Sequence, residues 1–142
     1  EHGDSEVLVW SRAMIGPFHI SEYAEQHDLS LAPEVAERIE QDVRQAAYRI
    51  IERKGATHFA IGLAAVRIAE CLSLSQDSVL TLSRRMEGRY RLQTVCLSIP
   101  TLFSRRGAHT HFELDLSANE RAALLRSAEI VDEVYQSLGL GD

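Results

Sequence analysis

The sequence predicts an α+β fold, antiparallel strands packed with long helices, from three observations. Apolar residues recur at helical spacing through the first half, the period changes to two from Val79, and a helix-start signal opens a last helical stretch at Ser117. Taken in order, Ser5 to Ile15 mixes β-branched and polar residues and reads as a strand end leading into a loop, broken by Gly16-Pro17. Ser21 reads as the N-cap of a short helix over Glu22 to His27. Val35, Ile39, Val43, Ala46, Ala47, Ile50 and Ile51 then mark one face of a long amphipathic helix over Pro33 to Lys54. Proline suits its first position and Gly55 its stop.

The next helix, Phe59 to Leu74, carries only Arg67 and Glu70 as charges. A helix apolar nearly all round is expected to be buried. Val79 to Leu82, Val95 to Ile99 and Thr110 to Leu116 alternate as three strands of an antiparallel meander with one face buried. Ser117 with Glu120 three residues on forms a capping box. The final helix presents Leu124, Ala128, Val131, Tyr135 and Leu138, and Gly139 ends it. The sequence shows no internal repeat and no low-complexity stretch.

Composition narrows the function. The 142 residues are 45% hydrophobic and 25% charged, the profile of one ordinary globular domain. A net charge of −6 argues against a nucleic-acid partner, because phosphate contact wants a basic face. The pairs Arg84-Arg85 and Arg105-Arg106 are isolated and read as solvated. Cys71 and Cys96 form neither a disulfide framework nor a metal pair, and their apolar settings suggest small core filler. No apolar run reaches the ~18 residues of a membrane span, and no signal peptide precedes Glu1, so a soluble, cytoplasmic protein is expected.

Six histidines compete for a chemical role. His19 and His27 fall in a polar stretch and read as solvated. His109 and His111 share a strand face, but no further ligand completes a metal site, so a surface role is favoured and no metal is expected. His58, in the linker between the two long helices, is placed to line a cavity. His2 differs by its company in Glu1-His2-Gly3-Asp4: glycine permits a tight turn, and flanking carboxylates favour the charged ring. A histidine pKa near neutrality suits a general acid or base. The sequence holds no nucleophile elbow, no Gly-rich phosphate loop and no HExxH.

"EHGDSEVLVW" resembles the catalytic-histidine segment of the L-lactate dehydrogenases. The likeness continues through "IIERKGATHFAIGLAAVRIAE", "SVLTLSRRMEGRY", "VCLSIPTLFSRRG" and "LSANERAALLRSAEIV", in the family's order and over nearly the whole chain. The opening and "KGAT..AIG" segments are the specific ones. The departures are His58, where the family often has an aromatic residue or serine, and Ser104-Arg105-Arg106-Gly107, which keeps only the final glycine of the family's hairpin.

The resemblance implies a C-terminal substrate-binding and catalytic domain over residues 1–142, with the NAD-binding Rossmann part absent from this chain. By carry-over, His2 is the proton donor and acceptor for the interconversion of pyruvate and L-lactate. Thr57 lines the substrate pocket, and Ile61 lies against the nicotinamide of NAD. The simpler roles are helix N-cap for Thr57 and core packing for Ile61. The whole enzyme is expected to be a cytoplasmic homotetramer, and the 142-residue chain alone is expected to bind NAD poorly and turn over essentially nothing. Two rival readings remain: a malate or other 2-hydroxyacid dehydrogenase of the same superfamily, and a non-catalytic, stand-alone oligomerisation module. Glu1 and Asp4 flanking His2-Gly3, with Thr57, lean towards lactate.

Overall fold

A computed structural model describes residues 4–74, 76–93 and 95–139. The segment from Ser5 to Val9 runs without strand partners into a 3-10 turn at Trp10–Arg12. A minimal hairpin follows, β1 (Met14–Ile15) against β2 (Phe18–His19), with Met14 opposite His19. Gly16 at φ +60 supplies the left-handed residue that its two-residue turn requires. Helix α1 (Ile20–Gln26) begins at once. Its N-cap is His19 rather than Ser21: the His19 ring accepts from the Ser21 amide at 3.3 Å, so the helix starts one residue before the expected serine.

Helix α2 spans Pro33–Lys54, as its periodicity predicts, and stops at Gly55, whose φ of +79 lets the amide return to the Ile51 carbonyl at 2.7 Å. Helix α3 spans His58–Ser73. The expectation that it is buried is overturned. Cys71 is its only buried residue, while Phe59, Ile61 and Leu63 are 81, 65 and 72% exposed. An apolar helix needs cover, but the described residues fully bury only Cys71 of α3 and leave most of its apolar side chains exposed.

The meander is confirmed with shifted boundaries. Strands β3 (Ser78–Arg85), β4 (Cys96–Ser104) and β5 (Gly107–His111) form one antiparallel sheet in that order. Strand β3 continues through Arg84 and Arg85, opposite Leu97 and Cys96, and a register shift at Leu102/Phe103 bends β4 against β5. The third strand lies earlier than Thr110 to Leu116. Its last rung is Phe112 N–H donating to the Pro100 carbonyl, after which the Leu114 amide turns to the Tyr90 hydroxyl at 2.7 Å. Cys96 also departs from expectation: it opens β4 on the exposed side, whereas Cys71 is fully buried.

Helix α4 (Ala118–Ser137) packs on this sheet. Met86, Tyr90, Val95, Leu97, Ile99 and Ala128 form the core, flanked by Leu92, Leu116, Leu124 and Val131. The Ser117–Glu120 capping box forms as expected, with Ser117 N–H donating to Glu120 Oε2 at 2.8 Å and Glu120 N–H to Ser117 Oγ at 3.3 Å. Glu120 does more than cap. Ser11 donates to it from both its amide, at 2.9 Å, and its hydroxyl, tying the N-terminal segment to α4. Burial pushes this carboxyl upward, but the bonds from Ser11 and Ser117 outweigh it and hold the pKa down to about 2.

Candidate active site

The short linker between α2 and α3 builds a cleft. Gly55 reverses the chain, Ala56 and Thr57 cross over, and α3 begins at His58. Ile51, Gly55, Ala56, Thr57, His58, Ile61 and Gly62 line a space of ≈ 500 Å³. Thr57 and Ile61 are four residues apart, one turn on the same side of α3, so both sequence-predicted positions enter one cleft. His58 lines it too, as its place in the linker suggested.

Two local features separate this cleft from ordinary packing. Thr57 occupies the N-cap position of α3, yet its side chain makes no cap hydrogen bond, so the hydroxyl is not committed to the helix. Ile61 contributes a solvent-exposed apolar surface rather than core packing. A threonine hydroxyl beside an exposed branched aliphatic chain offers one polar and one dry contact. His2, the third predicted site residue, lies outside the described residues.

The remaining histidines are placed in structural settings. The His109 Nε2 atom bonds to Ser104 Oγ, whose oxygen also accepts from the Arg106 amide at 3.1 Å. His111 is held below its ordinary pKa by burial, then by the positive charges of Arg89 and Arg84, a setting that repels a cation. Among the described residues no group of three His, Cys, Asp or Glu side chains can hold a metal ion. No described helix is long and apolar enough to cross a membrane. Two further spaces contain none of the predicted site residues: an open one of ≈ 670 Å³ beside Asp4, Gln45, Tyr48, Arg49 and Glu52, and one of ≈ 460 Å³ between the N-terminal segment, α2, the sheet and α4, walled by Val7, Leu8, Val9, Leu97, Ile99 and neighbours.

Sequence reasoning missed the contacts that hold the N-terminal segment against α2. The Trp10 indole donates to Glu40 Oε1 at 2.8 Å, Arg44 Nη2 donates to the Glu6 carbonyl at 3.3 Å, and the Tyr48 hydroxyl donates to Asp4 Oδ1 at 3.3 Å. The only signal in the sequence is the four-residue spacing of Glu40, Arg44 and Tyr48.

The structure defines an α+β domain with a cleft at a helix junction, and comparison with known proteins gives its family. The family model for the lactate/malate dehydrogenase alpha/beta C-terminal domain matches residues 1–137, and the chain belongs to that family. It is 40% identical over 139 residues to an L-lactate dehydrogenase of Treponema denticola, covering 97% of this chain and 44% of that relative. The L-lactate dehydrogenase of Thermus aquaticus is also 40% identical over 139 residues, covering 98% of this chain and 45% of its own length. The ligand-bound minor L-lactate dehydrogenase of Enterococcus mundtii superposes with a TM-score of 0.88 at 31% identity, over 96% of this chain and 43% of that one. A lactate dehydrogenase from a deep-sea metagenome library gives 0.91 at 33% identity, over 98% and 44%. The chain therefore spans less than half the length of the curated relatives it matches.

Proposed function

We propose that this chain is the substrate-binding and catalytic part of an L-lactate dehydrogenase that interconverts pyruvate and L-lactate with NAD. The observation that carries this reading is the shared cleft of Thr57 and Ile61, positions that match the family's substrate and nicotinamide contacts. The two curated relatives named above are both L-lactate dehydrogenases, which favours lactate over malate. The dinucleotide-binding part belongs to the same enzyme outside this chain, and the assembly is a cytoplasmic homotetramer.

The cleft residues fit a nicotinamide on physical grounds. Ile61 presents apolar surface that remains open in this chain, and a dry wall favours the uncharged reduced ring over its charged oxidised form. When bound, NADH supplies the hydride to the carbonyl carbon of pyruvate. The chain's own residues then have three tasks. The His2 imidazolium gives its proton to the carbonyl oxygen, where negative charge develops, and takes one back from the lactate hydroxyl in reverse. The uncommitted Thr57 hydroxyl borders the substrate and orients it. Ile61 keeps water from the reacting face. The 142-residue chain alone turns over essentially nothing, because the cofactor's main site lies elsewhere.

The test is a substrate panel on the full-length protein with NADH. Pyruvate is expected to give the highest kcat/KM, and a clear preference for oxaloacetate would overturn the lactate assignment in favour of the malate enzymes.

A further inference from the structure

Glu40, Arg44 and Tyr48 are four residues apart on α2, so they drift by only about 40° per step and form one stripe along the helix. Their partners run the other way: Trp10 on Glu40, Glu6 on Arg44, Asp4 on Tyr48. The stripe is also tied to itself. Arg44 Nη2 lies 3.1 Å from Glu40 Oε2, leaving Oε1 of the same carboxylate for the Trp10 indole. On its other side the segment meets α4, through Ser5 Oγ with Ser127 Oγ at 3.1 Å and through Ser11 with Glu120. The segment from Asp4 to Ser11 thus has no strand ladder of its own before the turn and is held between two helices.

We propose that this stripe of α2 is a positioning rail for the segment bearing His2, with Arg44 and Tyr48 as positioning residues for proton transfer. The proposal rests on the function given above and deepens it. Asp4 is two residues from His2 in sequence, a chain reach of at most about 7 Å, so fixing Asp4 limits where the imidazole can be delivered. The same helix runs on to Ile51 and Gly55, which line the cleft of Thr57 and Ile61. One rigid element therefore sets the proton donor's segment and the substrate cleft in a common frame. Transfer of a proton to a carbonyl oxygen is steeply sensitive to such placement.

The experiment uses the full-length protein and reads kcat for pyruvate reduction, KM for NADH and the thermal midpoint. Tyr48→Phe and Asp4→Ala are each expected to lower kcat roughly fivefold, with NADH KM and midpoint unchanged, because the bond is exposed and local. The double variant is expected to be no slower than the slower single variant, since both changes cut one connection. Arg44→Met is expected to lower kcat by about tenfold or more, and Arg44→Lys, which keeps a donor for the Glu6 carbonyl, to recover most of it. The rail is refuted if Tyr48→Phe leaves kcat unchanged, if the Tyr48 and Asp4 effects multiply, or if kcat falls only in step with the midpoint. The parent function fails separately: a wild-type protein that does not reduce pyruvate, or a His2→Gln variant that keeps its kcat, removes the function and the rail with it.

Discussion

The β3–β4–β5 sheet with α4 and the α2–α3 pair are built on opposite terms. In the first, Leu97 is 1% exposed and packs with Met86, Tyr90, Ile99 and Ala128 into a closed core. In the second, α2 has no buried residue and α3 has one, although α3 is the most apolar helix of the chain. Stability is concentrated on one side, and the cleft of Thr57 and Ile61 lies on the other. Under the proposed function, the surface that meets substrate, cofactor or the rest of the enzyme is left out of the core that stabilises the fold.

That contrast can be broken by substitution. The largest effect is expected at Leu97→Ala, which removes a fully buried side chain between sheet and helix and should cost about 3 kcal/mol in chemical denaturation. A loss below about 1 kcal/mol would show that the sheet side is not the stabilising core.

Glu120→Gln is expected next, at about 2 kcal/mol near neutral pH, because the amide cannot accept all the bonds that Ser11 and Ser117 give the carboxylate. The pH dependence follows from the depressed pKa. The folded carboxyl titrates near 2 against an ordinary value of 4.5, so its contribution is complete above about 4.5 and is lost as pH falls through about 2. Thermal midpoints of wild type and variant should converge across that window, and a gap that stays constant would contradict the assignment.

Smaller effects sharpen the comparison. Arg91 holds a left-handed φ of +66 beside Tyr90 at +50, and Tyr90 is anchored there by burial and the Leu114 amide. Arg91→Gly should raise stability by about 0.5 kcal/mol, the relief of left-handed strain less the added freedom of the unfolded chain. On α3, Leu63→Gln should change stability by less than about 0.5 kcal/mol, since the side chain has little packing to lose within this chain. A large loss there would mean that α3 belongs to the core after all.

The sequence was most legible where the signals are local. The limits of α2, its proline start and glycine stop, and the Ser117–Glu120 box depend on neighbours within a few residues. Legibility failed where the partner is distant. Alternation from Thr110 to Leu116 continues past β5, and only the Leu114–Tyr90 bond shows why pairing stops. The burial of α3 failed for the same reason, because an apolar helix says that it needs cover and not where the cover is. Of the site, Thr57 and Ile61 came from family likeness, and the fold places them in one cleft. Arg44 and Tyr48 carried no motif, since their meaning lies in contacts forty residues away along the chain.

The division between a stabilising side and a functional side is tested most directly by steady-state pyruvate reduction in full-length Ile61→Asn. A polar amide at this exposed position should spoil the dry wall, raising KM for NADH about tenfold or more while the thermal midpoint stays within about 2 °C of wild type. An unchanged KM for NADH would contradict the proposed contact of the nicotinamide with Ile61, and a collapsed midpoint would return Ile61 to ordinary core packing.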